Sequence, residues 1–444
     1  MAGSVFAHGF KEQPYWWEAA PRRPEDAGAI LPARADVVVV GAGFTGLSAA
    51  LTLARHGRGV VVLDAEAPGF GASSRNHGYV GVAPMASFTA LAKRHGMARA
   101  GGIYRETHTA FKYVTELIER EQIHCHYRQC GRIYWAYNRA QLDYKARDLE
   151  LMREHAGIEG YVIGPEDKRR EIMSDFYYGG VAFPGTGACH PGLLVNGLID
   201  RVEAAGATVL GHTRVLAIEQ RGTIFDVATS RGTIEAGDVV AATNGYIGKE
   251  TPYLRRRIIP VNAHIATTEP LAPEILERLF PSGRVNLDLR NNFHSWCIAP
   301  DEPRMIFLGQ TIRPIYRDSR VVMALHKEMC EIHPELADVG FSHYWNGQLG
   351  LTFDRVPHIG RHDGVYYVLG MNGGGLPSGT HLGNKVALKL LGEPDSETAF
   401  DDLGFKTMPF YTGRSWFAPL IAGAKQAMAR LERRGAGQAT TSNE

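Results

Sequence analysis

Apolar residues fall along this chain in short β-branched runs separated by helical spacings. Residues 35–40 (ADVVVV) form the first run, and continuous apolarity of this kind predicts a buried parallel strand. The turn GAGFTG follows, and then LSAALTLARHG, an Ala/Leu-rich stretch that predicts a helix stopped at Gly57. Residues 59–64 (GVVVLD) predict the next buried strand, so a βαβ unit is complete within about 30 residues. Further along, Ile103, Phe111, Val114, Leu117 and Ile118 recur at helical spacing. Strands are predicted at 131–137 (GRIYWAY), in ATVLGHTRVLAIE and IFDVAT, in GDVVAATNGY and at 365–370 (VYYVLG), and helices at 139–156, 191–205 and 321–332. The stretch from 258 to 310 is strand-rich, and MNGGG leads into a last helix, THLGNKVALKLLG.

This order of nucleotide-type units broken by insertions predicts two interleaved domains. An α/β (α+β) architecture follows, with a Rossmann-like nucleotide domain drawn from 35–92, 165–250 and 344–410 and an antiparallel-sheet substrate domain from 93–164 and 251–343. Residues 1–34 read as an N-terminal arm, and 411–444 as a helix with a disordered tail.

Composition narrows the function. The 444 residues carry 48 basic and 47 acidic side chains, so a net charge of +1 gives no reason to expect a nucleic-acid partner. Five cysteines, an odd and sparse set, fit reduced thiols in a cytoplasmic protein. No apolar run approaches the roughly 20 residues of a membrane span. His124, Cys125, His126 and Cys130 match no standard metal spacing, so no metal is expected. No oligomeric state follows from these features.

Gly41, Gly43 and Gly46 make a GxGxxG motif between strand and helix, with Asp64 ending the second strand. Gly41 permits the tight turn, Gly43 lets backbone approach a pyrophosphate, and Gly46 lets helix and sheet pack closely. Phe44 and Thr45 open the helix, whose N-terminus attracts phosphate, and Asp64 with neighbouring Ala65 suits an adenosine ribose. The motif serves NAD and FAD alike, so other segments must decide.

Three later segments do so. GFGASSRNHGYVG (69–81), ATNGY (242–246) and GMNGGGLPSGTHLG (370–383), taken with the first motif, resemble the FAD-dependent oxidoreductases of the D-amino-acid/glycine oxidase superfamily. The likeness is greatest to the gamma-glutamylputrescine oxidase branch. It implies FAD contacts from Ala72, Ser73, Ser74, Arg75, Asn76, His77 and Gly78, from Thr243 and Asn244, and from Asn372, Gly373, Gly374, Gly375, Leu376 and Thr380. A histidine that carries covalent flavin in related demethylating enzymes would align with Asn76, and no cysteine matches the cysteinyl link of sarcosine oxidases. Non-covalent FAD is therefore expected.

WNGQLGLTFDRVPHIG (345–360) resembles the run in which glycine oxidase-like members carry an Arg before a Pro to grip an α-carboxylate. Leu349–Gly350 stands there instead. The departure favours a primary or secondary amine, γ-glutamylated or N-alkyl, as substrate, with Arg132, Arg290 or Arg313 as alternative anion partners. His294 and Trp296 alternate to one face of the strand NNFHSWCIAP and are candidates for an aromatic wall at the substrate face, with Tyr79, His77 and Tyr316. The implied reaction is amine oxidation to an imine with O2 as acceptor. The alternatives are a same-fold dehydrogenase that passes electrons to a carrier, and a non-catalytic flavoprotein subunit.

Overall fold

The computed structural model describes residues 4–24, 28–81, 86–290, 293–309 and 318–413. Arg313, Tyr316 and the C-terminal segment beyond 413 lie outside the described residues.

Valine-rich strands with no polar position cannot face water, so they sit at the centre of a sheet. Arg34–Val40 is paired in parallel with Val60–Leu63 on one side and with Gly232–Ala241 on the other. Val60–Leu63 in turn pairs with Thr208–Leu210, and Gly232–Ala241 with Val365–Leu369, both in parallel. Val37, Val38 and Val39 are fully buried. The helix Phe44–Arg55 connects the first two strands, and Gly375–Leu391 follows Val365–Leu369. From Arg34–Val40 the sheet grows in both directions, which makes its carboxyl end a topological switch point, where ligands of such sheets bind.

Among the described residues, nine strands form a second sheet, antiparallel as expected except where Phe6–Lys11 meets Phe341–Leu351 and Val285–Asp288 meets Arg132–Ala136, both in parallel. In spatial order they are Phe6–Lys11, Phe341–Leu351, Ile259–Thr268, Met305–Gly309, His294–Ile298, Val285–Asp288, Arg132–Ala136, Gly179–Phe183 and Tyr161–Ile163. Two of these strands, Phe6–Lys11 and Gly179–Phe183, lie outside the 93–164 and 251–343 segments, and Phe341–Leu351 runs past the end of the second. One face of this sheet packs a core around Trp135, Tyr177, Trp296 and Phe307, and the helix Asp318–Ile332 lies against it. The other face, with Cys297, Ile306, Leu308 and Trp345, meets the nucleotide side of the molecule.

The described part of the N-terminal arm packs on the body of the protein. Phe6–Lys11 pairs in parallel with the edge strand Phe341–Leu351, and Trp16 is completely buried. No helix of the described residues is long and apolar enough to cross a membrane.

Candidate active site

The first glycine motif folds as its spacing demands. Gly41 leaves the strand at φ +105°, and its N–H donates to the carbonyl of Leu63 at 2.8 Å. A Cβ on Gly46 would lie 1.9 Å from the carbonyl oxygen of Gly41, so only glycine lets the helix sit on this turn. Gly46 thus supports the turn from behind, whereas Gly41, Gly43, Phe44 and Thr45 line a cavity of about 380 Å³. That size falls within the roughly 300–1,000 Å³ of small-molecule sites. Asp64 lines it too, its carboxylate accepting from the N–H groups of Ala42 (2.8 Å) and Glu66 (3.0 Å). Burial pushes the Asp64 carboxyl upward against those two donors. Ala65 lies beside it in the cavity wall.

The segment after the second strand crosses the cavity mouth as a short 3-10 turn, Ala72–Ser74. Ser73 Oγ accepts from the N–H of Phe44 at 3.0 Å and ties this segment to the helix start. The Asn76 amide donates to the carbonyls of Ala72 and Ser73 and accepts from the N–H of Gly78. Ala72, Ser73, Asn76, His77 and Tyr79 all line the cavity.

Ser74, Arg75 and Gly78 face elsewhere. Ser74 Oγ accepts from Trp17 Nε1 at 2.9 Å, and the Arg75 guanidinium packs against the rings of both Trp17 and Phe70 and donates to the carbonyls of Phe70 and Asn346. A Cβ on Gly78 would lie 2.3 Å from the Cys189 carbonyl oxygen, so this glycine serves close packing. Trp16 Nε1 donates to the Asn76 carbonyl and Trp345 Nε1 to that of Arg75, both at 2.8 Å. Three indoles therefore clamp the segment. The sequence signal was present in the pair Trp16–Trp17, unusual in a polar arm.

Two further turns complete the enclosure. Asn244, at φ +47°, accepts from the N–H groups of Gly370 (2.9 Å) and Met371 (3.3 Å). It so joins the loop after Gly232–Ala241 to the glycine run before the last helix. Thr243 Oγ1 lines the cavity, buried and without a hydrogen-bond partner. Asn372 turns away: its amide oxygen accepts from the N–H of Thr352 at 3.0 Å and the residue is 3% exposed. Gly374 caps the last helix from outside the cavity, and Thr380 bonds back to the carbonyl of Leu376. Gly373, Gly375 and Leu376 are the residues of this run that face the cavity. Gly379 and Gly383 pack against Thr45, so two helices lie side by side with both N-termini at the same cavity.

His294 and Trp296 stand on the wrong face for the role expected of them. His294 Nε2 lies 2.8 Å from Glu328 and Nδ1 3.2 Å from Asp288, while Trp296 stacks on Tyr177 within the second core. Asp288 is fully buried; burial pushes its carboxyl up, but His294 and Arg290 hold it below the usual range. The opposite face of the strand meets the site. There Ser295 Oγ lies 2.9 Å from His77 Nε2 and donates to the Asn286 carbonyl at 2.8 Å. Since the one hydroxyl proton goes to Asn286, His77 donates from Nε2. Burial, and secondarily Arg132, lower the His77 pKa to about 3, so the ring is neutral near pH 7.

A cleft fed by two helix N-termini, glycine turns and an unpaired threonine hydroxyl suits a long, phosphate-bearing ligand. The sequence matches the family of FAD dependent oxidoreductases (DAO) over residues 36–388. The chain belongs to that family. It is 31% identical over 390 residues to gamma-glutamylputrescine oxidoreductase of Escherichia coli strain K12, covering 87% of this chain and 90% of that protein. The fold resembles the crystal structure of glycine oxidase from Geobacillus kaustophilus, with a TM-score of 0.68 at 21% identity over 85% of this chain and 99% of that one. L-proline dehydrogenase from P. horikoshii gives a TM-score of 0.67 at 21% identity, over 82% and 96% of the two chains. The protein is thus an FAD-dependent oxidoreductase acting on amines or amino acids. The residues present fit its cofactor: the two helix starts suit the pyrophosphate, and Asp64 and Thr243 offer acceptor and donor to polar groups of the ligand.

Among the described residues no group of three or more His, Cys, Asp or Glu side chains is arranged to hold a metal. Residues that line the cavity without having been singled out include Phe70, Tyr246, Pro260, Gln348 and Met371. They come from separate elements, and no local motif marks them.

Proposed function

We propose that the protein oxidises an amine, primary or secondary and γ-glutamylated or N-alkyl, to an imine. Water then converts the imine to an aldehyde and the released amine or ammonia, and O2 is reduced to H2O2. The observation that carries this reading is Leu349, an apolar side chain in the cavity wall at the position where α-amino-acid oxidases of the family carry arginine. Without a bidentate clamp there, an α-carboxylate loses its strongest partner. The likeness to the E. coli gamma-glutamylputrescine oxidoreductase points the same way.

FAD supplies the two-electron acceptor for the carbon–nitrogen bond. The chain's own work is binding and exclusion. Gly41, Gly43, Phe44, Thr45, Ser73 and Thr243 would hold the phosphate end, Asp64 the ribose, and Gly373, Gly375 and Leu376 the far end with their helix start. Leu349, Tyr79 and the neutral His77 form an enclosed wall that favours the uncharged amine, the form able to give up hydride. His77 is engaged through Nε2 with Ser295, which supports a non-covalently held cofactor.

The test is oxygen uptake by the purified holoenzyme. A γ-glutamyl or N-alkyl amine drives O2 consumption that catalase halves, and glycine and alanine do not. Flavin reduction by the amine without oxygen uptake would move the protein to the dehydrogenases, and a response to α-amino acids alone would refute the amine assignment.

A further inference from the structure

Arg132 is the cationic group that the account so far leaves unused. It sits on the strand Arg132–Ala136, on the face opposite the core residue Ile133, and is 6% exposed. Its guanidinium carbon lies 3.8 Å from the centroid of the Tyr79 ring and 4.9 Å from that of Tyr134. Its Nε is buried with no hydrogen-bond partner.

Three other largely buried arginines are neutralised by carboxylates, whereas Arg22 and Arg75 rest on backbone carbonyls. Arg290 holds Asp288 at 2.6 Å, Arg284 holds Glu171 at 3.1 Å and Arg304 holds Glu302 at 2.6 Å. Arg132 meets no carboxylate among the described residues, and its electrostatic neighbours are two phenols and a thiol. A buried cation left to two aromatic rings and the Tyr79 hydroxyl is poorly compensated, because ring quadrupoles and one neutral oxygen replace only part of the lost hydration. An anion that arrives with the ligand completes it.

The location fits such an anion. Tyr79 lines the cavity two residues from His77, and the positive field of Arg132 is felt at the His77 ring. The phosphate cradle is at the other end of this segment, at Ser73 and Gly43. Arg132 thus backs the wall that faces the substrate.

We propose that Arg132 is the anion anchor of the substrate site and binds a carboxylate carried remote from the carbon that is oxidised. The substrate is then an amine with a carboxylate at the far end of its acyl group, a class that the absence of arginine at Leu349 leaves open. This inference rests on the amine-oxidation reading above.

The probes are the amides of 1,4-diaminobutane with glutaric acid and with butyric acid, which differ only in the terminal carboxylate. The readout is the ratio of their kcat/KM values in the holoenzyme. Wild-type protein prefers the glutaryl amide by about 100-fold, the range expected for a desolvated charge pair. In Arg132→Met the ratio collapses toward one, and Arg132→Lys retains part of it. FAD content and the visible flavin spectrum of each variant report on folding. Glutarate also inhibits oxidation of the butyryl amide competitively in the wild type, a test that needs no variant.

An unchanged ratio in Arg132→Met, or absence of inhibition by glutarate, overturns the proposal. So does a parallel fall with both amides, which would mark a structural role. Arg255, on the short helix Pro252–Arg255, also lines the cavity. Collapse of the ratio in Arg255→Met alone would move the anchor there and refute Arg132. If the wild type oxidises both amides equally, amine oxidation stands and the anchor fails; if neither amide reduces the flavin, the amine reading itself fails.

Discussion

Gly46→Ala offers a sharp probe of how the glycine turn serves the cofactor. The added Cβ would stand 1.9 Å from the carbonyl oxygen of Gly41, where real contacts do not fall below 3.0 Å. Both partners are backbone, so no side chain can yield, and the turn must open by about 1 Å. Gly41 is already at φ +105° and pinned by its hydrogen bond to Leu63, so the helix start moves instead. Misaligning one charge-assisted hydrogen bond to a phosphate costs about 1.5–3 kcal/mol, and the weakened helix-dipole interaction about 0.3–1 kcal/mol. The sum, about 2–4 kcal/mol, corresponds to FAD binding weaker by roughly 30- to 1,000-fold.

The assay is reconstitution of apoprotein with FAD, followed by flavin fluorescence. In Gly43→Ala the added Cβ meets the Ser73 hydroxyl at 2.8 Å and stands where backbone must approach the pyrophosphate, so FAD binding should weaken by at least about tenfold. Gly57→Ala is the control: at the other end of the same helix, φ is +76° and nothing lies within 4 Å. It costs about 1–2 kcal/mol of stability through backbone strain but leaves FAD affinity unchanged. FAD affinity in Gly46→Ala within threefold of wild type would refute the reasoning.

Three further outcomes follow from the same structure. His333 is fully buried with both ring nitrogens unpartnered, and burial lowers its pKa from 6.5 to about 3. The unfolded chain therefore binds a proton that the folded one refuses, and stability falls as pH drops from 6.5 toward 3. His333→Phe should relieve about 2 kcal/mol more at pH 5 than at pH 7.5 in urea unfolding, and an equal effect at both pH values would contradict this. Asp288→Asn strips the fully buried partner from Arg290 and His294; a loss of about 3–5 kcal/mol is expected in the same experiment, and a loss below about 1 kcal/mol would show the cluster to be dispensable. Acid precipitation should leave the flavin in the supernatant, whereas a yellow pellet would reveal a covalent bond.

The nucleotide half of the site was legible because its determinants are contiguous. A valine strand, a glycine turn and a helix occupy one stretch of sequence, and each position has one backbone reason. The strand His294–Ile298 was harder. His294 to Cys297 are all buried, so no polar alternation distinguishes the face toward His77 from the face toward Trp135. Aromatic residues drew attention to His294 and Trp296, although Ser295 and Cys297 face the cofactor segment. The arm was misleading for a related reason. Trp16 and Trp17 act on partners about 60 residues away, and the edge strand Phe6–Lys11 pairs with residues more than 300 positions distant. Such pairings leave no local periodicity. Arg75 was expected among the FAD contacts but is held by two rings and two carbonyls, a choice that depends on Trp17. Leu349, by contrast, needed only alignment to a known run, and it lines the cavity.

Anaerobic titration of the purified flavoprotein tests the central claim most directly. The visible flavin band is followed as amines and α-amino acids are added in turn. A γ-glutamyl or N-alkyl amine should bleach the band, while glycine, alanine and proline should leave it intact. Bleaching by an α-amino acid and by no amine would contradict the claim.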